Sequence, residues 1–330
     1  MNEKKGKSIT AVLASVALVA GAFFAEKTFS EKNTYPMTAD AFFLDTYCTM
    51  TIYKGGDSET LEIAKEELKR YDALFSTENP KSDIYRINSR TSDTVEISAE
   101  TAGMLEMAME MQEISDGALW PAIRPLTQLW DIKNRKTKPG DDEVSEALKR
   151  SQDASWKIED LGSDGWCFKA LNPDTKIEDG AFAKGYIADR LKEIFLERGV
   201  KSAIIDLGGN VHTIGKNTDG TPFRIGIKDP KGNEAYVSIV EAEDESVVTA
   251  GSYERYFEEN GIRYHHILDP ATGYPADSGL ISVTIKGQSS FVCDALATAC
   301  FVLGEEKGNS LIAEFNNENG THYEGIFIKE

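Results

Sequence analysis

Hydrophobic and polar positions change period several times along the chain. Lys4, Lys5 and Lys7 precede an uncharged, largely apolar run from Ser8 to Ala25, and charge returns at Glu26. A basic flank before such a run is the pattern of a signal peptide or signal anchor. Residues 1–25 are therefore expected to carry the protein out of the cytoplasm or anchor it to the membrane. A polar linker over 26–39 and a single body over 40–330 follow. DTYCTMTIYKG alternates as a strand does. Ser58 to Leu74 has a helical stripe, and Ser98 is placed to cap a second helix in SAETAGMLEMAMEMQEIS. DEVSEALKRS reads as a short helix, SWKIEDLGSDGWCFKALNPDTKIED as a hairpin, and AFAKGYIADRLKEIFLERGV as a long helix stopped by Gly199.

Strands dominate beyond Gly199: SAIIDLGGNVHTIG, PFRIGIKDP, AYVSIVEAE, SVVTAGSYERYF, RYHHILDP and LISVTIKG. The apolar helix SFVCDALATACFVLG, a short helix near Asn309 to Asn316 and a last strand EGIFIK close the chain. Helices mixed with hairpin-linked strands imply an α+β fold rather than a doubly wound parallel sheet.

A length of 330 residues with 41% hydrophobic positions provides for a sizeable core. The net charge of -19 argues against nucleic acid as a partner and against loose attraction to anionic lipid. An acidic protein that handles phosphates needs local cations, so isolated lysines and metal sites matter here. Cys48, Cys167, Cys293 and Cys300 form no CxxC and no zinc spacing, and are expected to be free thiols in apolar surroundings. The first 25 residues contain no cysteine for a lipid anchor. No GxGxxG, HExxH or GxSxG occurs, and GGNVHTIGKN fails as a phosphate loop because Asn217 stands where Ser or Thr is required.

Four segments carry candidate chemistry. Asp294 and Thr298 are spaced i,i+4 and share one face of an otherwise apolar helix. Hard cations want such oxygens; the simpler alternative is a carboxylate favouring the helix N-terminus and a hydroxyl bonded back to a carbonyl. EDGAFAKGYIADR places Lys184 in the first turn of a helix, where a cation opposes the dipole unless it meets an anion. In YHHILDPATGYP, adjacent His265 and His266 face opposite sides of a strand, so at most one addresses a site. The glycine pair of DLGGNVHTIG marks a tight turn or a close approach of backbone to ligand.

In order along the chain, these segments resemble the FAD:protein FMN transferase (ApbE-type) family from about Phe43 to Phe327. Leu44-Asp45-Thr46 stands where Met-Gly-Thr is usual, and FSTENPKSDIYRIN is similar to the family's Ser-rich loop with its Ile-Asn end. SDGALWPAIRPLTQLW matches a segment that usually reads Asp-Gly-Ala-Phe-Asp-Pro-Thr, and EDGAFAKGYIAD its Asp-Leu-Gly-Ala-Ile-Ala-Lys-Gly-Tyr helix start. HHILDPATGYP and CDALATA are close to the family form. Trp120 and Glu178 each replace an Asp at positions that the resemblance implies belong to the flavin pocket.

The resemblance implies a T-fold-like α+β catalytic domain, an antiparallel sheet with packed helices. It implies Mg²⁺ held by Asp294, Thr298 and the Ala181 carbonyl. FAD as substrate would contact Leu44, Ala118, Leu119, Trp120, Glu178, Lys184, His266 and Ile267. The implied reaction moves FMN to a Thr or Ser hydroxyl of an exported acceptor protein and releases AMP. Lys184 would add positive charge beside the diphosphate. His266, at a suitable intrinsic pKa, and Asp294 are rival general bases. An FAD pyrophosphatase using water as acceptor, and an exported flavin-binding protein without turnover, are the competing activities.

Overall fold

The computed structural model describes residues 34–232 and 236–329. The expected leader, and the linker up to residue 33, lie outside them. Among the described residues, no helix is long and apolar enough to cross a membrane.

A seven-stranded sheet organises the chain. It is built from β1 (Met37–Phe43), β2 (Thr46–Gly55), β6 (Val200–Leu207), β7 (Asn210–Gly215), β10 (Ser246–Gly251), β13 (Leu280–Gly287) and β14 (Glu324–Lys329), in the order β1-β2-β6-β7-β10-β13-β14. Every neighbouring pair is antiparallel. A three-stranded sheet, order β3-β5-β4, combines β3 (Thr94–Ile97), β4 (Trp156–Asp160) and β5 (Trp166–Ala170). Two hairpins stand apart: β8 (Phe223–Lys228) with β9 (Tyr236–Ala242), and β11 (Tyr256–Glu259) with β12 (Ile262–His265). The α+β architecture is as expected.

Eight α-helices complete the described chain: α1 (Ser58–Phe75), α2 (Asp83–Ser89), α3 (Ala99–Ile114), α4 (Arg124–Trp130), α5 (Asp141–Gln152), α6 (Ala183–Glu197), α7 (Ser290–Leu303) and α8 (Glu305–Asn319). Side-chain caps fix four of the starts, those of α1, α2, α3 and α7. Asp57 and Thr60 form a capping box on α1, and the Ser98 hydroxyl accepts from the Thr101 amide to open α3. Alternation along β2 buries Cys48, Met50 and Ile52, and along β6 it buries Ala203, Ile205 and Leu207. These join Leu68, Phe195 and Leu296 from the helices in one core. A smaller cluster under α4 and α5 contains Leu126, Trp130, Val144, Phe257 and Leu268.

At the centre, α6 crosses α7. A Cβ on Gly185 would run into the Ser290 carbonyl, so glycine is what lets the two helices meet. The Asp189 carboxylate, one helical turn along α6, accepts from the Ser289 hydroxyl at 2.7 Å and from the Ser290 and Phe291 amides at 2.8 and 3.0 Å. It thereby holds the positive end of α7 against α6.

Some expectations shift. The sheet begins at Met37, so the last three residues of the expected linker are strand. The last helix runs Glu305–Asn319 rather than 309–316. Segments α2, α4 and β3 were not expected. SVVTAGSYERYF splits into β10, an interior strand of the main sheet, and the start of a separate hairpin. All four cysteines are buried and free.

Candidate active site

A cleft of about 600 Å³ opens where the β1–β2 turn, the segment before α4, the start of α6 and one face of α7 converge. Leu44, Ala118, Leu119 and Trp120 line it, as do Glu178, Ala181 and Lys184, and His266, Ile267, Asp294 and Thr298. Residues spread over 255 positions of sequence thus share one cavity.

The floor is the loop entering α6. Asn88, the Ile-Asn end of the Ser-rich loop, clamps this segment: its Nδ2 donates to the Ile177 carbonyl at 2.8 Å and its Oδ1 accepts from the Ile177 amide at 2.7 Å. The Glu178 amide donates to Pro121. Its carboxylate Oε2 accepts from Arg124 Nη1 and from Thr127 Oγ1, both at 2.7 Å. The Asp179 carbonyl then accepts from the Phe182 and Ala183 amides to start the helix. Trp120, fixed by a bond from Nε1 to the Ser151 carbonyl at 3.1 Å, gives the cleft an aromatic wall.

α7 supplies the polar centre. Asp294 is the fifth residue of the helix, beyond its first turn, and is only 7% exposed. Its Oδ2 accepts from the Gly185 amide at 3.0 Å. That amide is one of the unpaired donors at the start of α6. Burial raises the Asp294 carboxyl above the ordinary range, while Lys184, the Gly185 amide and Asn210 act to lower it. Thr298 is half-buried and makes no hydrogen bond to the carbonyl one turn back; neither does the Ala181 carbonyl accept one from the described residues. The simpler alternative, a dipole-stabilising carboxylate and a back-bonded hydroxyl, therefore does not describe this pair. A carboxylate, a hydroxyl and a carbonyl with acceptor capacity left over are the donor set that suits a small hard cation.

The family model described as the ApbE family matches residues 44–321. The chain belongs to the ApbE family. It is similar to the FAD:protein FMN transferase of Treponema pallidum (strain Nichols), 34% identical over 289 residues, covering 82% of this chain and 80% of that protein. A second relative, the FAD:protein FMN transferase of Klebsiella pneumoniae (strain 342), is 36% identical over 247 residues, 73% of this chain and 74% of that one. The crystal structure of the ApbE protein from Thermotoga maritima MSB8 superposes with a TM-score of 0.77 at 31% identity, covering 88% of this chain and 94% of that one. The apo flavinyl transferase ApbE of Pseudomonas stutzeri gives 0.74 at 26% identity, covering 89% and 94%.

Within this ApbE-family cleft the two histidines part as their alternation requires. His265 is buried, with Nε2 against the Ala276 carbonyl at 3.1 Å and Nδ1 accepting from the Ile267 amide at 3.3 Å. His266 faces the cleft. Its Nδ1 lies 3.3 Å from the Arg255 carbonyl, and a carbonyl only accepts, so Nδ1 carries the proton and Nε2 keeps its lone pair. The intrinsic pKa expected for His266 does not hold in place. Burial and the Arg255 cation push it down to about 4, so the ring is neutral at physiological pH.

Sequence reasoning missed several cleft residues. Arg255 lines the cleft without an ion pair among the described residues. Lys184 has only a long contact from Nζ to the Gly180 carbonyl, at 3.4 Å. Arg124 and Lys133, by contrast, are paired with Glu178 and Asp45. Two uncommitted cations thus stand in a cavity that also contains carboxylates. Glu254 is one of these, its carboxyl raised by burial, and Asp179 is another, pushed up to about 8 by burial and by Glu178. Asp179 Oδ2 has no hydrogen-bond partner. Of the two readings of the paired glycines in DLGGNVHTIG, the tight turn forms: Gly208 and Gly209 make a left-handed two-residue turn, and Gly208 lines the cleft, where a Cβ would run into Thr46.

Proposed function

We infer that the protein transfers FMN from FAD to a serine or threonine hydroxyl of an acceptor protein and releases AMP. The observation that carries this reading is the cleft's polar centre, where Asp294 and Thr298 on α7 face the uncommitted Lys184 at the start of α6. Family membership supplies the flavin chemistry, and the relatives named FAD:protein FMN transferase support it.

In the transfer, the acceptor oxygen bonds to the flavin-side phosphorus. The bond from that phosphorus to the bridging oxygen breaks, and the electron pair leaves with AMP. His266 Nε2, neutral and free to accept, takes the hydroxyl proton; this choice over Asp294 follows because a carboxylate that would hold the cation is the poorer base. Lys184 and Arg255 hold the diphosphate oxygens. Trp120 offers a face for stacking a ring of FAD. Asp294, Thr298 and the Ala181 carbonyl would hold Mg²⁺, which when bound neutralises charge on diphosphate oxygens. The apolar run after Lys4, Lys5 and Lys7 supports an extracytoplasmic site of action, with the acceptor an exported protein.

Incubation with FAD and Mg²⁺, with and without an envelope extract as acceptor source, tests the reading. AMP together with flavin-labelled protein is expected. AMP with free FMN in the presence of acceptor would make the protein a pyrophosphatase, and unchanged FAD would make it a binding protein.

A further inference from the structure

If the protein modifies another protein, as inferred above, a folded surface must deliver that partner's hydroxyl to the cleft. We propose that the outer edge of β1 is this docking surface, and that the acceptor adds an extended segment to it as an eighth strand.

The edge is open and runs into the site. β1 is the first strand of the sheet, and among the described residues nothing pairs with its outer side. Its last residues, Phe42 and Phe43, line the cleft, together with Leu44 and Asp45 of the turn that follows. Those two turn residues both have positive φ, 41° and 59°, the left-handed pair that closes a two-residue hairpin. Phe43 and Thr46 are then the hydrogen-bonded pair beside the turn, and alternation makes Phe42, Asp40 and Thr38 point their backbone N–H and C=O away from β2. A segment laid along them would place its next residues at the cleft mouth, since each residue advances about 3.3 Å.

Exposed edges are usually blunted by charged side chains, proline or a bulge. β1, MTADAFF, has no proline and no bulge, its one charge, Asp40, accepts from the Thr49 hydroxyl of β2 at 2.9 Å, and its register with β2 runs from Met37–Ile52 to Phe43–Thr46 without a break. The opposite edge, β14, ends in Lys329, which is paired with Glu305 of α8. Beside the open edge sits an apolar pair, Phe42 and Tyr47, directly across from one another and 74% and 62% exposed. Backbone donors and acceptors in a row, with one aromatic patch at the end nearest the site, fit strand addition by a peptide with an apolar side chain close to its reacting Ser or Thr.

Two substitutions outside the cleft lining test this. Asp40→Pro deletes one outward N–H at a position where proline is tolerated on an edge strand; Asp40→Asn keeps it. Tyr47→Ser removes half the aromatic patch from a surface position. Flavin labelling of an envelope extract is followed across extract dilutions, with FAD affinity measured by flavin fluorescence on the same full-length proteins. The extract needed for half-maximal labelling should rise about 10-fold for Asp40→Pro and several-fold for Tyr47→Ser. Asp40→Asn and all FAD affinities should stay at the wild-type level. Unchanged extract dependence in Tyr47→Ser, or in Asp40→Pro that still binds FAD, would overturn the docking surface while leaving flavin transfer intact. A wild-type dimer that Asp40→Pro dissociates would assign the edge to a second copy and also overturn it. No labelled band from wild-type protein would instead remove the transfer reading, and this inference with it.

Discussion

Asp83 and Asp294 are both buried carboxylates, 4% and 7% exposed, and the protein treats them in opposite ways. At the α2–α3 junction, burial acts to raise the Asp83 carboxyl, but the Thr101 hydroxyl, the Ser98 amide and hydroxyl, and Arg86 outweigh it and bring it below the ordinary range. The Thr101 and Ser98 contacts measure 2.6 to 2.8 Å. In the cleft, Asp294 has the Gly185 amide, and its carboxyl is raised; Glu254 and Asp179 are raised as well. A buried carboxylate with a full set of donors is a structural joint. One left short of them, in a cavity with uncommitted cations, holds unfavourable charge that an incoming cation can relieve. The contrast separates scaffold from site within one chain.

The largest test of that contrast exchanges the two residues' fates. Asp294→Asn should cut transfer by on the order of 10³-fold and leave the apo protein as stable as before or more so. Asp83→Asn should cost about 2–4 kcal/mol of stability and leave turnover per folded molecule near wild type. Denaturant melts and AMP release on both proteins read this out; loss of stability in the Asp294 variant with retained activity would invert the assignment.

Next in size is the histidine pair. His266→Ala should slow transfer by roughly 10²–10⁴-fold, and His265→Ala far less, since His265 makes only backbone contacts. Equal losses in single-turnover assays would mean the wrong imidazole carries the proton.

Asp179 sharpens the comparison through pH. Its folded value of about 8 exceeds the ordinary 3.8, so between those limits the native state retains a proton that the unfolded chain has lost. Its contribution to stability therefore falls as pH rises from about 4 to about 8. Asp179→Asn removes the fall. The variant should gain on the order of 1–3 kcal/mol over wild type at pH 8.5 relative to pH 5. A gap between the two melting curves that does not change with pH would show the carboxyl to be compensated after all.

The smallest effect expected is that of Lys184→Met, about 10-fold weaker FAD binding, near the strength of one charge-assisted contact. Apo stability should be unchanged or up by about 0.3–1 kcal/mol, because a cation at a helix start opposes the dipole. Unchanged affinity would put Lys184 in solvent.

Much of the scaffold could be read from period alone. The helical stripes of α1, α3 and α6 and the alternation in β2 and β6 were legible because each buries one face, and β13 was legible as a short apolar run buried on both faces. β1 was not, since Ala39 and Ala41 blur its alternation. α2 and α4 are seven residues each, too short for a stripe to show. At the site, Asp294 and Thr298 stood out as oxygens on an apolar helix, and every proposed site residue lines the same cleft. Asn88 stood out only as the end of a motif, and Asp189 was missed, because their roles exist only through contacts far along the chain, such as Asp189 with Ser289–Phe291; Glu254 and Arg255 were missed because no motif marks them as cleft residues. Spacing carries no trace of such contacts. The depressed pKa of His266 was equally invisible, because its causes are the depth of the cleft wall and Arg255, neither of which is local sequence.

The claim that the cleft's uncompensated carboxylate awaits a cation is tested most directly by FAD affinity measured with and without Mg²⁺, on wild type and Asp294→Asn, in the full-length protein. Wild type should bind FAD at least about 10-fold more tightly with Mg²⁺ present, and the variant should show the same affinity in both conditions. An equal Mg²⁺ response in the two proteins, or none in wild type, would contradict the account.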